Sequence, residues 1–370
     1  MTRVLITGGA GFIGSHAAMT LLEAGYQVRL LDNLSPQVHG AQRRRPSYLS
    51  REAELVVGDV TDALAVDRAL RGADVVLHLA SSVGVGQSMY HIEAYVRTNE
   101  LGTATLLQAL AKRPVERLVV ASSMSIYGEG ACRSASSEAV APGERPIRQL
   151  RDGDWELRDS EGNPLEPIPT PETKQPTLSS IYALNKYAQE RMCLIIGNAY
   201  NIPTVALRFF NVYGPYQALS NPYTGVLAIF AARLLNRRPP LVFEDGRQRR
   251  DFVHVHDVAR ACLLALETDC TNDVFNVGSG QSRTILSIAR DLARVMDRPE
   301  IAPTITGKYR AGDIRHCFAD LAKSNALLGF TPRVTFDDGL AELAHYLADQ
   351  IADDQAEKAT RELQQRGLVA

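Results

Sequence analysis

The stretch "RVLITGGAGFIGS", residues 3–15, limits what this chain can fold into more than any other. A short apolar run leads straight into closely spaced glycines and then into a helical pattern. Gly9, Gly11 and Gly14 satisfy G-x-G-x-x-G, while Gly8, Gly11 and Gly14 form the wider G-x-x-G-x-x-G. Such glycines permit a tight turn, let backbone approach a pyrophosphate, and pack the next helix closely with its N-terminus towards the anion. Asp32 ends the second apolar run. A carboxylate there accepts hydrogen bonds from ribose hydroxyls and repels a 2′-phosphate, so NAD is expected over NADP. Arg43, Arg44 and Arg45 read as a surface charge run, and Asp59, after the third strand, reads either as a contact to the adenine or as an ordinary strand-end acid.

The chain continues in the same rhythm. Residues 3–7, 27–31, 54–57, 74–79, 117–122 and 204–209 are nearly continuous apolar runs, as strands buried on both faces should be. Helical patterns alternate with them, which implies right-handed parallel crossovers. The expected fold class is therefore α/β: a Rossmann-type doubly wound parallel sheet over residues 1–211, and a smaller mixed α/β C-terminal lobe over 212–348. An excursion at about 129–177, rich in Gly, Pro, Ser and charge, interrupts the first domain and contains the only tryptophan, Trp155. It reads equally as a lid or as a surface decoration or dimer arm. Residues 349–370 read as a charged, solvated helical tail that frays.

Composition narrows the partner. Lys and Arg total 40 against 42 Asp and Glu, a formal charge of −2, so no global basic field points to nucleic acid or an anionic membrane. A small soluble ligand is the expectation. Five cysteines without paired spacing read as reduced thiols. The opening residues enter a strand without a signal-type apolar core, and no apolar run of about 18 residues suggests a membrane span, so a cytoplasmic protein is expected.

A second constellation carries the chemistry. In "YALNK", Tyr182 and Lys186 stand four apart on a helical pattern and share a face. A phenol titrates near pH ~10, and a neighbouring ammonium together with an oxidised nicotinamide would favour phenolate. In "VVASSMSIYGEG", residues 119–130, serines 122, 123 and 125 follow a strand and precede Tyr127. His254 and His256 could be offered as a metal pair, but with no third ligand evident they read as structural histidines, and no metal is expected.

From Arg3 to about Leu343 these motifs resemble the extended short-chain dehydrogenase/reductases, in particular the nucleotide-sugar epimerases and dehydratases. The resemblance selects Ser123, four residues before the tyrosine of "IYG", as the catalytic serine, with Tyr182 and Lys186 completing the set; Tyr127 is then a structural marker. It implies a cofactor shell of Gly8, Gly11, Phe12, Ile13, Gly14, Asp32, Asn33, Asp59, Val60, Leu79, Ala80, Ser81, Asn99, Tyr182, Lys186 and Phe209. For substrate it implies Ser123, Tyr182, Phe210, Asn211, Val226, Leu241, Phe243, Arg250, Arg310 and Asp313, the two arginines facing a diphosphate. Ala311 replaces the proline of the family's "RPGD" segment. A homodimer through helices around 92–112 and 182–200 is implied in the same way.

The ligand implied is a UDP- or dTDP-hexose, oxidised to a transient 4-keto sugar. Dehydratases of the family carry Asp-Glu after the catalytic threonine, and decarboxylases a glutamate one place further. Here Met124 and Ser125 occupy those positions and cannot supply an acid and a base. An NAD-dependent 4-epimerase is the reading left; a dehydratase or 4-ketoreductase is the enzymatic alternative, and an NAD-sensing binding protein the non-enzymatic one. The segment 220–230 and the long insert resemble a subgroup that includes UDP-glucose and dTDP-L-rhamnose 4-epimerases. Val83 stands where UDP-galactose 4-epimerases commonly have lysine, so the sugar pocket is expected to take a different hexose.

Overall fold

Seven short strands form one parallel sheet: β1 (Arg3–Thr7), β2 (Gln27–Asp32), β3 (Glu54–Val57), β4 (Val75–His78), β5 (Arg117–Ser123), β6 (Thr204–Phe209) and β7 (Asp273–Val277). Their order across the sheet is β3-β2-β1-β4-β5-β6-β7. The computed structural model describes residues 1–134, 139–223 and 225–370, so four insert residues and position 224 in the 220–230 segment lie outside it. Alternate side chains of a strand point to opposite faces, and here both faces are covered. Val4, Ile6, Leu30, Val119 and Leu207 form one apolar layer with Ala17 and Leu21 of helix α1 (Phe12–Glu23). Leu5, Leu31, Val76, Val120 and Ala206 form the other with Leu106 and Leu110 of α2 (Gly102–Lys112) and Cys193 of α3 (Ile181–Ala199). The strand order reverses at the β1/β4 boundary, and ligands of such sheets bind at the carboxyl ends of the strands beside that switch point.

β7 changes the expected domain boundary. The chain leaves the sheet after β6, builds part of the second lobe, then returns through α5 (Val255–Glu267), which packs beside α1, to add β7 next to β6. Residues 255–277 therefore belong to the first domain. The second lobe joins strands Asn211–Tyr213, Arg249–His254, Ser282–Thr284 and His316–Cys317 in a mixed sheet, with a separate pair of Leu241–Val242 and Thr304–Ile305. Its core contains Phe252, Leu292 and Leu340, with Phe230 from α4 (Val226–Leu235).

One further expectation, that for the tail, needs correction. The insert carries its own small antiparallel sheet, in which Cys132–Arg133 pairs with Ala139–Val140 and Glu166–Pro167, and it lies against the second lobe through buried ion pairs. The tail is not a solvated helix. Helix α6 (Ala356–Gln365) buries Ala359 and Leu363, and beyond it Val369 is buried as well. These three apolar side chains give an otherwise charged segment a face to dock.

Candidate active site

The carboxyl ends of the strands open on a cavity of about 860 Å³ that runs from the glycine turn to Leu241 and Phe243 in the second lobe. All the residues named above for cofactor and substrate line it except Asn99. Asn99 is fully buried behind the wall. Its Oδ1 accepts from the Ser82 amide at 2.7 Å and from Ser81 Oγ at 3.1 Å, and its Nδ2 donates to Ser82 O, so it shapes the 81–82 loop and does not face the cavity.

At one end the wall is backbone. Gly8 has φ +68°, and a Cβ there would lie 2.9 Å from the backbone of Ala80; a Cβ on Gly14 would lie 2.4 Å from Gly8 O. Side chains at these positions would force β1, β4 and α1 apart. Gly11 caps α1 without a side chain, leaving first-turn amides turned to the cavity, a ready anion site. Asp32 accepts the amides of Ala10 (3.0 Å) and Leu34 (2.8 Å), which fixes its carboxylate at the end of β2 with lone pairs to spare. Asp59 accepts Asn33 Nδ2 at 2.8 Å and both the amide and hydroxyl of Thr61; burial works to raise it, but these bonds hold it below the usual carboxylate range. A glycine cradle, helix amides and a ribose-facing acid are the donor set that a dinucleotide requires. Unpaired buried amide oxygens of Asn211, Gln217 and Gln248 mark further polar points on the cavity wall.

At the middle stand the three catalytic candidates. Ser123 ends β5, caps the following turn through the Ser125 amide (3.2 Å), donates to Ser125 Oγ (3.2 Å), and lines the cavity with Tyr182. Tyr182 opens α3, whose start is fixed by Ser180 accepting the Ala183 amide, while the Tyr182 amide donates to Ser88 Oγ at 3.1 Å. Lys186, 3 % exposed, donates to Gln189 Oε1 at 2.9 Å, and Gln189 donates in turn to Thr103 Oγ1 at 2.8 Å. Burial depresses the ammonium to about 8. Burial raises the Tyr182 phenol, and the Ser123 hydroxyl opposes that rise. The expected lowering by Lys186 is therefore not a property of the chain alone, since its ammonium is turned to Gln189. Ser88 and Gln189 were not found from sequence; Gln189, one turn beyond Lys186 on the same face, was the legible one.

The other polar candidates beside Ser123 have structural partners. Ser122 Oγ donates to Glu190 Oε2 (2.6 Å), and Glu190 pairs with Arg208 (2.7 Å). Tyr127 is fully buried, donating to Asn276 Oδ1 of β7 (2.7 Å) and accepting from Arg208 (2.9 Å). It belongs to the scaffold.

The far end is built from charge. Arg310 forks onto Asp313 Oδ2 (2.9 and 3.1 Å) and lies 4.8 Å over the Phe243 ring, while Arg250 stands 3.5 Å from the same carboxylate and donates to the carbonyls of Arg315 and Ile314. Burial works to raise Asp313, but Arg310, Arg250 and Arg145 hold it below the ordinary range. The insert braces this end. Its Arg145 bridges Glu129 (3.2 Å) and Glu244 (2.9 Å), and Arg315, with no exposed surface, binds Glu244, Asp245 and the insert's Glu156 at 2.9, 2.7 and 2.6 Å. Sequence inspection missed Arg145, Glu244 and Arg315.

Among the described residues, His254, His256 and Glu342 bring three ligating groups within 4.8 Å. His254 Nδ1 accepts the His256 amide (3.4 Å) as the cap of α5, so the ring proton sits on Nε2, 3.7 Å from Glu342. That tautomer offers a cation no lone pair.

A parallel sheet with a glycine cradle at its switch point, and a Ser-Tyr-Lys group between that cradle and a pair of arginines, defines a nucleotide-cofactor enzyme acting on a phosphorylated ligand. Residues 4–148 and 160–278 match the NAD dependent epimerase/dehydratase family. A dTDP-L-rhamnose 4-epimerase of Burkholderia thailandensis is 38% identical over 355 residues, covering 94% of this chain and 96% of that one. The UDP-glucose 4-epimerase of Thermotoga maritima, solved with UDP-glucose, superposes with a TM-score of 0.76 at 30% identity over 94% of this chain and 99% of that one. The Thermus thermophilus UDP-glucose 4-epimerase, solved with NAD, gives 0.74 at 31% identity over 95% and 100%. The chain belongs to the NAD dependent epimerase/dehydratase family. It is an enzyme of that family's isomerase branch, and NAD is its cofactor.

Proposed function

We propose that this enzyme is a nucleotide-sugar 4-epimerase acting on a dTDP- or UDP-linked hexose through a transient 4-keto sugar. One observation carries the choice among the family's reactions. Among the described residues lining the cavity, the carboxylates are Asp32, Asp59 and Asp313. The first two stand at the cofactor end and the third is paired with Arg310. Beside Ser123 the wall holds Met124 and Ser125, so elimination has no acid and base to use.

The glycine turn, Asp32 and Lys186 would hold NAD, which when bound would supply the acceptor and donor for the C4 hydrogen. Tyr182 takes the proton of the C4 hydroxyl, and Ser123 hydrogen-bonds the same oxygen as it becomes a carbonyl. Lys186, fixed through Gln189, keeps positive charge near the phenolate. Arg250 and Arg310 hold the diphosphate as a pivot about which the keto sugar turns. Tyr182 then returns the proton, giving the C4-inverted alcohol. The Burkholderia relative supports the finer reading of a dTDP-linked 6-deoxyhexose. The test is a panel of dTDP- and UDP-hexoses in deuterated water followed by NMR. Inversion at C4 without solvent deuterium at C4 is expected; loss of water with deuterium at C5 or C6 would overturn the reading.

A further inference from the structure

The C-terminal segment reaches both ends of the substrate half of the cavity. Ala356, Ala359, Thr360 and Leu363 of α6, with Leu368, line it. At the reacting end a Cβ added to Gly86 would lie 3.3 Å from Leu363 Cδ1, so the leucine methyls lie over the helical turn Val85–Ser88, whose last residue accepts the Tyr182 amide. At the diphosphate end the last residues pair with the strand carrying Arg310: the Ala311 amide donates to Leu368 O at 3.0 Å, and the Tyr309 amide to Ala370 O at 2.9 Å. Between these points Glu362 accepts the hydroxyls of Tyr223 (3.2 Å) and Tyr90 (3.3 Å), and Arg366 lies 4.3 Å over the Tyr90 ring.

We propose that residues 356–370 are a strap forming the sugar-side wall of the pocket, with Leu363 as a specificity-determining residue that favours hexoses bearing a methyl at C6. This rests on the 4-epimerase reading. Two physical arguments support it. A hydroxyl or carboxylate at C6 placed against a buried leucine would lose its water without gaining a partner, whereas a methyl would gain contact. The strap faces the sugar with alanines, a leucine and Thr360, whose hydroxyl proton is already given to Ala356 O at 2.8 Å, so it fixes the sugar with few hydrogen bonds and the ketone can turn while the strap keeps it from leaving. A ketone that escapes leaves the reaction half done: the C4 hydrogen stays on the cofactor, which is then reduced, and the oxidised sugar is in solution.

The experiment uses the full-length holoenzyme, Leu363→Ala and Ala311→Pro; proline has no amide hydrogen, so the second variant removes one strap hydrogen bond without changing α6. Calorimetry gives affinities for dTDP, a dTDP-6-deoxyhexose and its 6-hydroxy counterpart, with the UDP-linked pair run alongside. Absorbance at 340 nm with substrate reports trapped reduced cofactor. Leu363→Ala should lower the 6-deoxy over 6-hydroxy preference about tenfold with dTDP affinity unchanged. Ala311→Pro should accumulate 340 nm absorbance and free 4-keto sugar while the wild type stays flat. An unchanged preference in Leu363→Ala overturns the assignment of Leu363, and a flat trace from Ala311→Pro overturns the strap. If the wild type binds the sugars but inverts none, the epimerase reading fails, while the affinity ratios still decide the wall.

Discussion

The two ends of the cavity are built from different materials. The cofactor end is backbone: glycines 8, 11 and 14, the first amides of α1, and one carboxylate pinned by two main-chain donors. The substrate end is side-chain charge, with Arg145, Arg250, Arg310 and Arg315 set among Glu129, Glu156, Glu244, Asp245 and Asp313. A backbone cradle is rigid and local in sequence, whereas a charge network is assembled from segments far apart and fails when one member is removed. The two ends should therefore respond differently to substitution and to pH.

Tyr182→Phe, at the seam, should separate binding from chemistry most sharply. Turnover should fall by about a thousandfold with NAD and nucleotide affinity intact, checked by single-turnover assay and bound-cofactor content. Arg315→Met should break the substrate end alone. It takes from the buried Glu244 one of its two arginine partners and leaves Arg145 alone to hold it, at a cost of about 3 kcal/mol, and denaturant unfolding should show this while the folded protein retains NAD. Gly14→Ala is the converse: cofactor content should drop at least tenfold with dTDP affinity unchanged, and equal losses of both ligands would show that the ends are not independent.

The pH effects are smaller. Burial holds Lys186 at about 8, below an ordinary lysine, so the unfolded chain binds the extra proton above that pH. Stability should rise with pH from about 8 towards the ordinary lysine value, and Lys186→Met should flatten that rise in denaturant midpoints. Glu156 shows the opposite sign. The His316 hydrogen bond, against the cost of burial and with help from Arg315, holds it at about 2, so its contribution is present above the ordinary carboxylate range and is lost as pH falls towards 2. Trp155 is the sole tryptophan, with its ring centroid 6.3 Å from that of Tyr309, so its fluorescence should follow the release of the insert in acid.

The same contrast explains what the sequence disclosed. Runs at 3–7 and 204–209 coincide with β1 and β6 because both-face burial writes an unbroken apolar signal, 54–57 coincides with β3 although that edge strand exposes Glu54 and Val57, and the glycine turn is legible because its demands are local. β7, reading "DVFNV", is half polar, and it returns to the sheet from a stretch that otherwise builds the second lobe. Nothing near Arg145 announces Glu244, about a hundred residues on, because an ion pair has no periodicity. The tail was misjudged because Ala359, Leu363 and Val369 are too few to outweigh its charge. Ala311, noted only as a departure from "RPGD", gains a reason: its amide donates to Leu368 O.

The return of the chain to β7 means that the two lobes are interleaved, not serial. A fragment ending at 211 would lose the strand that covers β6 and the Asn276 Oδ1 to which Tyr127 donates, exposing an unpaired strand edge ready to pair with another copy. A fragment of residues 1–211 expressed alone should therefore aggregate, which size-exclusion chromatography would show. Chimeras that exchange substrate preference would have to leave 255–277 in place and swap the flanking segments around it.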